Sequence, residues 1–372
     1  MSNILIISSR LDYHARAVAW GLMQYGSSVW FFDTTKFSGQ DMDVAFCINS
    51  DGVKLTIADV TTFDSVYNRR TYPARADDTV AKPLRKFIEL EQNAFCKWVL
   101  LASSKNDNCF WMDDPDKVRT AENKMLQLQL AHDIGMKVPR TMISSNPKAL
   151  RSFARGLKRS LVYKPLTGHF WMESGKPKFQ TQAAVINDVE ALDDTSISAC
   201  PGIYQELVDK VGDVRSVVVG NKVFSALFLS NKDNSEHTID CRQQILLGTA
   251  AAQAFELPAD VKNLLLHVTN KFGLTYSSAD FALCDNGALY FLELNPIGQF
   301  GFVEQLVPTL TILDSVVAQL AQCRLDYMNA QPRISLLDYH YSEDAKILLN
   351  EIESSNSEAL RPSFIATELN DI

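Results

Sequence analysis

The stretch SADFALCDNGALYFLELNPIGQFG (278–301) contains two apolar runs on either side of an Asp-Asn-Gly sequence at 285–287. An Asn-Gly pair between apolar runs is a strong hairpin signal, so we predict two antiparallel strands. The first strand carries Asp280, and the second carries Glu293 and Asn295. Residues two apart on a strand point to the same face, so we expect the three side chains to converge across the strand pair.

Carboxylate and amide oxygens are ligands that suit Mg²⁺, a hard cation that keeps several waters and often binds through substrate phosphates. A bound cation would explain why charged and polar side chains interrupt a strand that otherwise reads as buried. The alternative is a solvated strand end followed by a loop asparagine. The hairpin alone leaves both interpretations open.

The bulk composition is that of a globular protein with more than one domain. A chain of 372 residues, at roughly 100–200 residues per domain, gives two or three domains. Hydrophobic residues make up 46% of the chain and charged residues 22%, as in soluble globular proteins. The net charge of -8 argues against a general nucleic-acid-binding protein, although it leaves a local basic patch open.

The seven cysteines are scattered along the chain and include no CxxC pair. This pattern favours reduced thiols and a cytoplasmic location over a disulfide framework or a zinc site. The N-terminus MSNILIISSRLD reads as a first strand and not as a signal peptide. No stretch approaches the ~20 apolar residues of a membrane span, so we expect no membrane partner.

The first part of the chain has the pattern of a small α/β domain. Strands with apolar centres are predicted at 3–8, 27–34 and 64–70, with helices ending near residue 26 and spanning 81–103. The third strand would deliver Arg69 and Arg70 to its end, where they would orient a ligand, shape a domain interface or form a structural ion pair. Near the first strand end, Arg10, Asp12 and His14 would either contact a ligand or have loop or capping roles, and we expect the latter. We place the first domain boundary near Lys117.

A helix is predicted between Thr120, which would cap it, and Gly135, which would end it. Its apolar face would consist of Leu126, Leu130 and Ile134. Further strands are predicted at 161–165, 202–208, 214–220 and 222–228, with a tight turn at 219–222, and further helices at 258–272 and 308–325, the last of them amphipathic. The tail from about residue 340 is rich in Ser, Glu and Asn, and we expect it to be partly disordered.

Two lysines and a stretch that precedes the hairpin are candidates for binding a nucleotide. Phosphate needs cations that converge on it, and Lys164 ends a predicted strand while Lys124 lies in the first turn of a predicted helix. The strand end Gln205, Glu206, Leu207 and Val208 can offer backbone groups to an adenine edge, Asp209 can reach a ribose, and Arg215 can point at phosphate. Taken singly, Lys164 would mark an exposed strand edge and Lys124 would be a solvated helix residue. The stretch from Gln205 to Arg215 would be an ordinary charged hairpin.

The order of these elements resembles the ATP-grasp fold over about residues 120–325. The motifs that carry the resemblance are, in order, Lys124, Lys164, QELVD (205–209), DVR (213–215), Asp280 and ELNP (293–296). Other stretches resemble one subfamily, the ATP-grasp peptide maturases that make graspetides, the microviridin-type ribosomal peptides. These stretches are SVYNRR (65–70), AENKMLQLQLAHDIGMKVPRT (121–141), DCR (240–242) and ELNPIGQFGFVE (293–304).

The resemblance implies an α/β protein in which two α+β subdomains grip ATP, preceded by an N-terminal α/β pre-grasp domain. The expected domains are 1–117 for the pre-grasp domain, 118–200 and 201–330 for the central and C-terminal ATP-grasp subdomains, and 331–372 for a partly disordered extension.

The resemblance also implies a reaction, with ATP and Mg²⁺ as cofactors. ATP would phosphorylate a side-chain carboxylate of a precursor peptide, and a Lys amine or Ser/Thr hydroxyl of the same peptide would displace phosphate to close an ω-amide or ω-ester ring. The implied partner is a peptide with a leader and a core; no nucleic acid is expected, and a homodimer is left open.

Carried over onto this sequence, the family's motifs imply roles for individual residues. Lys124 and Lys164 would bind the ATP phosphates, Glu206 and Val208 would form the adenine hinge, and Asp209 would bind the ribose. Arg215 and Arg242 would stabilise the transferred phosphoryl group, although Arg242 alone also fits an ordinary surface arginine. Asp280, Glu293 and Asn295 would hold magnesium.

Two stretches depart from the family pattern. Many ATP-grasp enzymes have a Gly-rich loop after the strand lysine, whereas residues 164–181 contain two glycines and the aromatic residues Phe170, Trp171 and Phe179. These aromatic side chains would either anchor a leader peptide or pack on the domain below. Relatives have Asp-Trp-Arg where this chain has Asp-Cys-Arg at 240–242, and Cys241 reads as a packing replacement.

Two other functions remain compatible with the sequence. One is a ligase similar to RimK or glutathione synthetase that joins a free amino acid or small amine to a carboxylate. The other is a nucleotide-binding scaffold without catalysis, against which the complete set of three magnesium-type ligands argues.

Overall fold

A computed structural model describes residues 2–35, 44–50, 52–76, 79–105, 108–157, 159–167, 183–229, 251–325 and 331–354, and the backbone of strands 170–173 and 176–180. In these segments, every helix is too short or too polar to cross a membrane.

The chain begins with a parallel sheet, as the apolar runs predict. Its strands are β1 (Asn3–Ser8), β2 (Ser28–Asp33), β5 (Ser65–Asn68) and β6 (Phe110–Met112), in the order β2-β1-β5-β6. The helices α1 (Tyr13–Gln24) and α2 (Lys82–Ser104) connect these strands, and β3 (Val44–Asn49) and β4 (Gly52–Ile57) form a separate hairpin. Because all four strands run in parallel, their carboxyl ends lie at one edge, where ligands bind in sheets of this type.

An antiparallel sheet in the order β11-β8-β12-β7 follows. The elements of this region are α3 (Pro115–Ala121), α4 (Lys124–Asp133), β7 (Thr141–Ser144), α5 (Pro147–Arg155), β8 (Leu161–Lys164), β9 (Phe170–Glu173), β10 (Lys176–Gln180), β11 (Ala184–Ile186), α6 (Asp194–Ala199) and β12 (Gly202–Glu206). Strands β9 and β10 pair with each other, so the aromatic stretch after Lys164 contains an antiparallel pair. The side chains of this pair lie outside the described residues.

A second antiparallel sheet has the order β15-β14-β13-β16-β17. Its region contains β13 (Gly212–Val219), β14 (Lys222–Leu229), β15 (Ala252–Ala254), α7 (Ala259–Lys271), β16 (Tyr276–Leu283) and β17 (Leu289–Asn295). Both predicted tight turns are confirmed, and Gly220 at the first has φ 58°, a conformation that glycine adopts without strain. An added Cβ there would collide with the carbonyl of Leu325.

The C-terminal helices are α8 (Gly301–Leu306), α9 (Ile312–Gln322), α10 (Leu336–His340) and α11 (Glu343–Ser354). The prediction that 308–325 is amphipathic was wrong, because every residue from Ile312 to Leu320 is buried. Helix α9 packs between the five-stranded sheet and the N-terminal sheet: Gln319 Nε2 donates to the Val219 carbonyl at 3.1 Å, and Ser65 Oγ donates to the Leu320 carbonyl at 2.9 Å. A helix enclosed by two sheets needs an apolar surface all round.

A further prediction needs correction. Asn123, and not Thr120, caps α4, because its side chain accepts from the amides of Met125 and Leu126, whereas Thr120 belongs to the preceding helix α3. In the tail, α11 buries Ala345, Leu348 and Ile352 against a core shared with α1, and the expectation of partial disorder stays a prediction. The part of the tail after residue 354 lies outside the described residues.

The expected apolar face of α4 was also wrong in part. Leu126 is 41% exposed, while the buried residues of this helix are Gln127 and Ala131. The predicted boundary residue Lys117 lies within α3. The division into domains stays a prediction.

Candidate active site

A row of charged side chains crosses three neighbouring strands. Arg215 on β13 is the register partner of Asp280 on β16, and Asp280 is the register partner of Glu293 on β17. Arg215 Nη1 donates to both oxygens of Asp280 at 2.9 Å. Lys124, the first residue of α4, forms an ion pair with Glu293 from outside the sheet. Two neighbouring carboxylates therefore lie between two cations in this row.

The convergence predicted for the hairpin holds, although its geometry depends on an irregularity. Phe281 pairs with Phe291, whereas the adjacent Asp280 pairs with Glu293, so β17 has one extra residue, Leu292, at this point. A bulge of this kind redirects the following side chains. Phe291 consequently packs in the core against Phe281, with ring centroids 5.8 Å apart, while Glu293 lies level with Asp280.

Asn295 lies two residues beyond Glu293, and its Nδ2 donates to Glu293 Oε1 at 3.3 Å. The amide nitrogen is the donor in this contact, which leaves the Oδ1 atom as an oxygen ligand. The side chains of Asp280 and Glu293 are 28% and 20% exposed, so both are accessible to solvent. Two carboxylates and one amide oxygen fit a magnesium ion that completes its shell with water and phosphate.

A side chain that we did not predict fixes the position of Lys124. Gln127, one turn later on α4, donates to the Leu294 carbonyl at 2.8 Å and accepts from the Leu294 amide at 3.0 Å. These two bonds satisfy the free backbone edge of β17 and hold α4 against it. Gln127 is only 1% exposed, which is unusual for a glutamine. From the sequence alone, a glutamine at such a helix position is expected to be exposed, so this role was not predicted.

Lys164 ends strand β8 of the other antiparallel sheet and interacts electrostatically with Glu293 and Lys124. Its Nζ donates to Gln205 Oε1 at 2.8 Å, and Gln205 Nε2 donates to Thr141 Oγ1 at 3.0 Å. Burial lowers the pKa of Lys164, and the positive charge of Lys124 lowers it further, while Glu293 opposes this effect. The pKa of Lys164 therefore depends on both Lys124 and Glu293. The two lysines lie close enough to interact, as two ligands of the same phosphate group would.

The predicted adenine hinge follows β12 directly. The Glu206 amide donates to the Arg140 carbonyl at 2.8 Å, and the Leu207 amide donates to the Ser160 carbonyl at 2.9 Å. Within the described residues, no group accepts from the Val208 amide. The role of Val208 in an adenine hinge stays a prediction.

Asp209, predicted to bind the ribose, has a different partner in the structure. Its side chain is 76% exposed and forms an ion pair with Arg159 Nη1 at 2.6 Å. A ribose contact would require Asp209 to exchange this pair, which is weak at such exposure. The second predicted catalytic arginine, Arg242, and its neighbour Cys241 lie outside the described residues.

Lys210 is a further cation that we did not predict. It forms an ion pair with Asp213, at 2.6 Å and 2.7 Å from the two carboxylate oxygens, and its charge contributes to lowering the pKa of Lys164. Asp213 begins the DVR motif that ends with Arg215, so Asp213 lies on the same strand as Arg215 of the charged row.

The described residues contain no group of three or more His, Cys, Asp or Glu side chains that could hold a metal ion. The candidate magnesium site has two carboxylates and takes its third ligand from an amide, so it belongs to a different class. A zinc-type centre has no support in this part of the chain.

Solved structures with the same fold bear on the identity of the protein. The chain is similar to a RiPP-associated ATP-grasp ligase from Chryseobacterium gregarium, solved with ADP and a leader and core peptide, at 20% identity and a TM-score of 0.76, over 87% of this chain and 98% of that one. It is also similar to the macrocyclase MdnC from Microcystis aeruginosa MRC, solved with the precursor peptide MdnA, at 23% identity and a TM-score of 0.72, over 86% and 99%.

A third similar structure is the ATP-grasp ligase PsnB, solved with a phosphomimetic variant of a minimal precursor, Mg and ADP. It has 22% identity and a TM-score of 0.68, over 86% of this chain and 98% of that one. These likenesses confirm the predicted ATP-grasp fold and its N-terminal α/β region. A search of curated proteins gave no match.

A family model provides the assignment that the sequence motifs indicated. The model of the RimK-like ATP-grasp domain matches residues 121–309, which contain Lys124, Lys164, Asp280, Glu293 and Asn295. Because this match extends over half of the chain, the protein belongs to the RimK-like ATP-grasp family.

Proposed function

We propose that this protein is an ADP-forming ligase that activates a side-chain carboxylate of a ribosomal precursor peptide and closes an ω-ester or ω-amide ring. The observation that carries the proposal is the charged row Arg215–Asp280–Glu293 with Lys124 and Asn295 beside it. This row provides cations for phosphate and oxygen ligands for magnesium in one cleft.

The reaction balances in two steps. A carboxylate oxygen of the peptide attacks the γ-phosphorus of ATP, the bond to the bridging oxygen breaks, and ADP leaves. An amine or hydroxyl of the same peptide then attacks the acyl carbon, phosphate leaves with the electron pair, and the nucleophile gives its proton to solvent. Phosphorylation is needed because a carboxylate is a poor electrophile.

The residues of this chain would contribute positioning and charge neutralisation. Asp280, Glu293 and Asn295 would hold magnesium, which when bound neutralises phosphate charge during the transfer. Lys124 and Lys164 would bind the phosphates, and Arg215 would orient the transferred group. No residue is required to form a covalent intermediate.

The choice of a peptide substrate rests on the solved relatives. The ligase from Chryseobacterium gregarium and the macrocyclase MdnC were both solved with their peptides, and each likeness extends over at least 86% of this chain. We therefore propose a precursor with a leader and a core as the partner.

A second candidate function follows from the family model. A ligase that joins a free amino acid or small amine to a carboxylate is also compatible with the RimK-like match over residues 121–309. Both functions use the same phosphate and magnesium ligands. In the first function, the nucleophile belongs to the same peptide as the activated carboxylate. In the second, it belongs to a separate molecule.

Mass spectrometry distinguishes the candidates. The purified protein is incubated with ATP, Mg²⁺ and candidate precursor peptides, with and without free amino acids. The proposed function predicts loss of one water per ring with one ADP formed per water. A mass gain equal to an added amino acid less water would favour the second candidate, and ATP that remains intact with every acceptor would contradict both.

A further inference from the structure

Arg69 connects the N-terminal sheet to the loop that follows the candidate magnesium ligands. It comes directly after β5, and its amide donates to the Ile7 carbonyl at the end of β1 at 3.1 Å. The residue is only 3% exposed. A buried guanidinium needs partners that justify its removal from water, and the identity of these partners indicates its role.

The first partner is Asp12, whose Oδ1 lies 3.6 Å from Arg69 Nε. Asp12 is itself fixed, because it accepts from the Ala15 amide at 2.8 Å as the cap of α1 and from Tyr72 Oη at 2.9 Å. Burial alone would raise the pKa of Asp12, but the charge of Arg69, together with His14, Arg70 and the Ala15 amide, outweighs burial, and the net pKa is lowered. The guanidinium is therefore anchored by an ionised group within its own sheet.

The second partner belongs to the other half of the molecule. Arg69 Nη1 donates to the carbonyl of Ile297 at 2.7 Å, two residues after Asn295. We call residues 296–300 the metal loop. Because Pro296 and Ile297 follow Asn295 without a break, the position of this carbonyl fixes the end of β17, where Glu293 and Asn295 lie.

Three successive carbonyls of the metal loop each accept a bond from a buried side chain. Ile297 accepts from Arg69, Gly298 accepts from Tyr276 Oη at 2.6 Å, and Gln299 accepts from Arg215 Nη2 at 3.4 Å. Arg69 is the one of these donors that comes from the N-terminal sheet. Arg215 also contacts Asp280, so the metal loop and the charged row share one hydrogen-bonded frame.

We propose that Arg69 is a positioning residue for the candidate magnesium site: it holds the metal loop against the N-terminal sheet and thereby sets the position of Asn295 and Glu293. This inference rests on the proposed function and assigns the N-terminal sheet a part in metal binding. A guanidinium can reach Asp12 and the Ile297 carbonyl with different nitrogens, whereas a lysine amine is a single point of charge. Lysine at this position should therefore leave the loop loose even though it keeps the charge.

The test uses Arg69→Met and Arg69→Lys, with Arg75→Met as the control. Arg75 is an exposed residue of the segment that follows β5, and the same substitution there removes a guanidinium from outside the site. Hydrogen exchange of the metal-loop amides is measured in the protein without nucleotide or metal. Calorimetry then measures ADP affinity with and without Mg²⁺.

Both Arg69 variants are expected to exchange the Gly298 amide of the metal loop about 10-fold faster and to lose about 10-fold in affinity for ADP with Mg²⁺. Their affinity for ADP without Mg²⁺ and all properties of Arg75→Met should match the parent protein. Unchanged exchange and unchanged Mg²⁺ dependence in a folded Arg69→Met protein would overturn the inference. If neither Arg69 variant folds, Arg69 is a folding residue and the inference is also overturned.

The two arms separate this inference from the proposed function. A parent protein that fails to bind ADP with Mg²⁺ would contradict the proposed function. The exchange measurement needs no ligand, so it would still decide whether Arg69 fixes the metal loop.

Discussion

Asp280 and Glu293 are direct register partners on β16 and β17, yet each is neutralised by a cation from a different element. Arg215 on β13 pairs with Asp280, and Lys124 on α4 pairs with Glu293. Two neighbouring carboxylates repel each other unless positive charge lies close to them. The site can admit a divalent cation by exchanging these internal ion pairs for metal ligands, so the two carboxylates are the most informative positions to change.

Glu293→Gln should leave the fold intact and abolish most turnover, because one anionic ligand of magnesium becomes neutral. We expect a loss of about 100-fold or more in ATP consumption with substrate present. The control is Glu256→Gln, which changes an exposed glutamate outside the site. Normal ATP consumption by a folded Glu293→Gln protein would remove Glu293 from the metal site.

Lys164→Met should weaken nucleotide binding, since it removes a half-buried positive charge that we expect to face the phosphates. A charge-assisted hydrogen bond contributes about 1.5–3 kcal/mol, which corresponds to roughly 10–100-fold in affinity for ADP. Calorimetry measures this affinity, and Lys148→Met on α5 serves as an exposed control. Equal ADP affinity in the parent and Lys164→Met proteins would show that Lys164 does not bind phosphate.

Gly298→Ala should damage the site through a steric effect alone. An added Cβ would lie 2.5 Å from Ser278 Cβ and 2.8 Å from Arg215 Nη2, so the metal loop or Arg215 must move. Overpacking of this kind costs about 1–3 kcal/mol, and here it displaces a residue of the charged row. We expect turnover to fall more than thermal stability does. Gly156→Ala, where the nearest atom would be 3.4 Å away, should change neither.

His14 gives a prediction about pH. It accepts from the Gly301 amide at 2.9 Å, and burial lowers its pKa to about 3, with a further lowering by Arg69. Between the ordinary pKa of 6.5 and about 3, the unfolded chain binds a proton here that the folded chain does not. Stability from His14 is therefore present above pH 6.5 and is lost as the pH falls below it.

The His14→Gln variant keeps a possible acceptor but does not titrate. The unfolding free energy of the parent should fall relative to this variant by on the order of 2 kcal/mol between about pH 7.5 and about pH 4.5. Asp113 and Glu304, whose pKa values burial raises to about 7, are present in both proteins and cancel in the difference. His132→Gln changes an exposed histidine and serves as control. Parallel curves for the parent and His14→Gln would mean that folding does not lower the pKa of His14.

The sequence predicted the hairpin and the convergence of its polar side chains for physical reasons that the structure bears out, and their role as magnesium ligands stays a prediction. An Asn-Gly turn fixed the pairing of the two strands, and pairing brought Asp280 level with Glu293. The bulge at Leu292 was beyond prediction, because its sequence is an uninterrupted apolar run. Without it, strict alternation would place Glu293 on the same face as the buried Phe291.

Other features depended on contacts between distant parts of the chain. Gln127 reads as a solvated helix residue until β17 is found beside it, and α9 reads as amphipathic until both sheets are found to enclose it. From the sequence, Arg69 is one of two adjacent arginines. A role in ligand orientation, in a domain interface or in a structural ion pair is equally compatible with that pattern. Its partner Ile297 lies more than two hundred residues away, so only the folded structure reveals this contact.

The transfer of phosphate to a peptide carboxylate is the central claim, and isotopic labelling tests it most directly. A precursor peptide whose side-chain carboxylates carry heavy oxygen is incubated with the protein, ATP and Mg²⁺, and the released phosphate is analysed by mass spectrometry. The account predicts one heavy oxygen in each phosphate and the loss of one labelled water equivalent from the peptide per ring. Phosphate without heavy oxygen, released while rings form, would contradict the account.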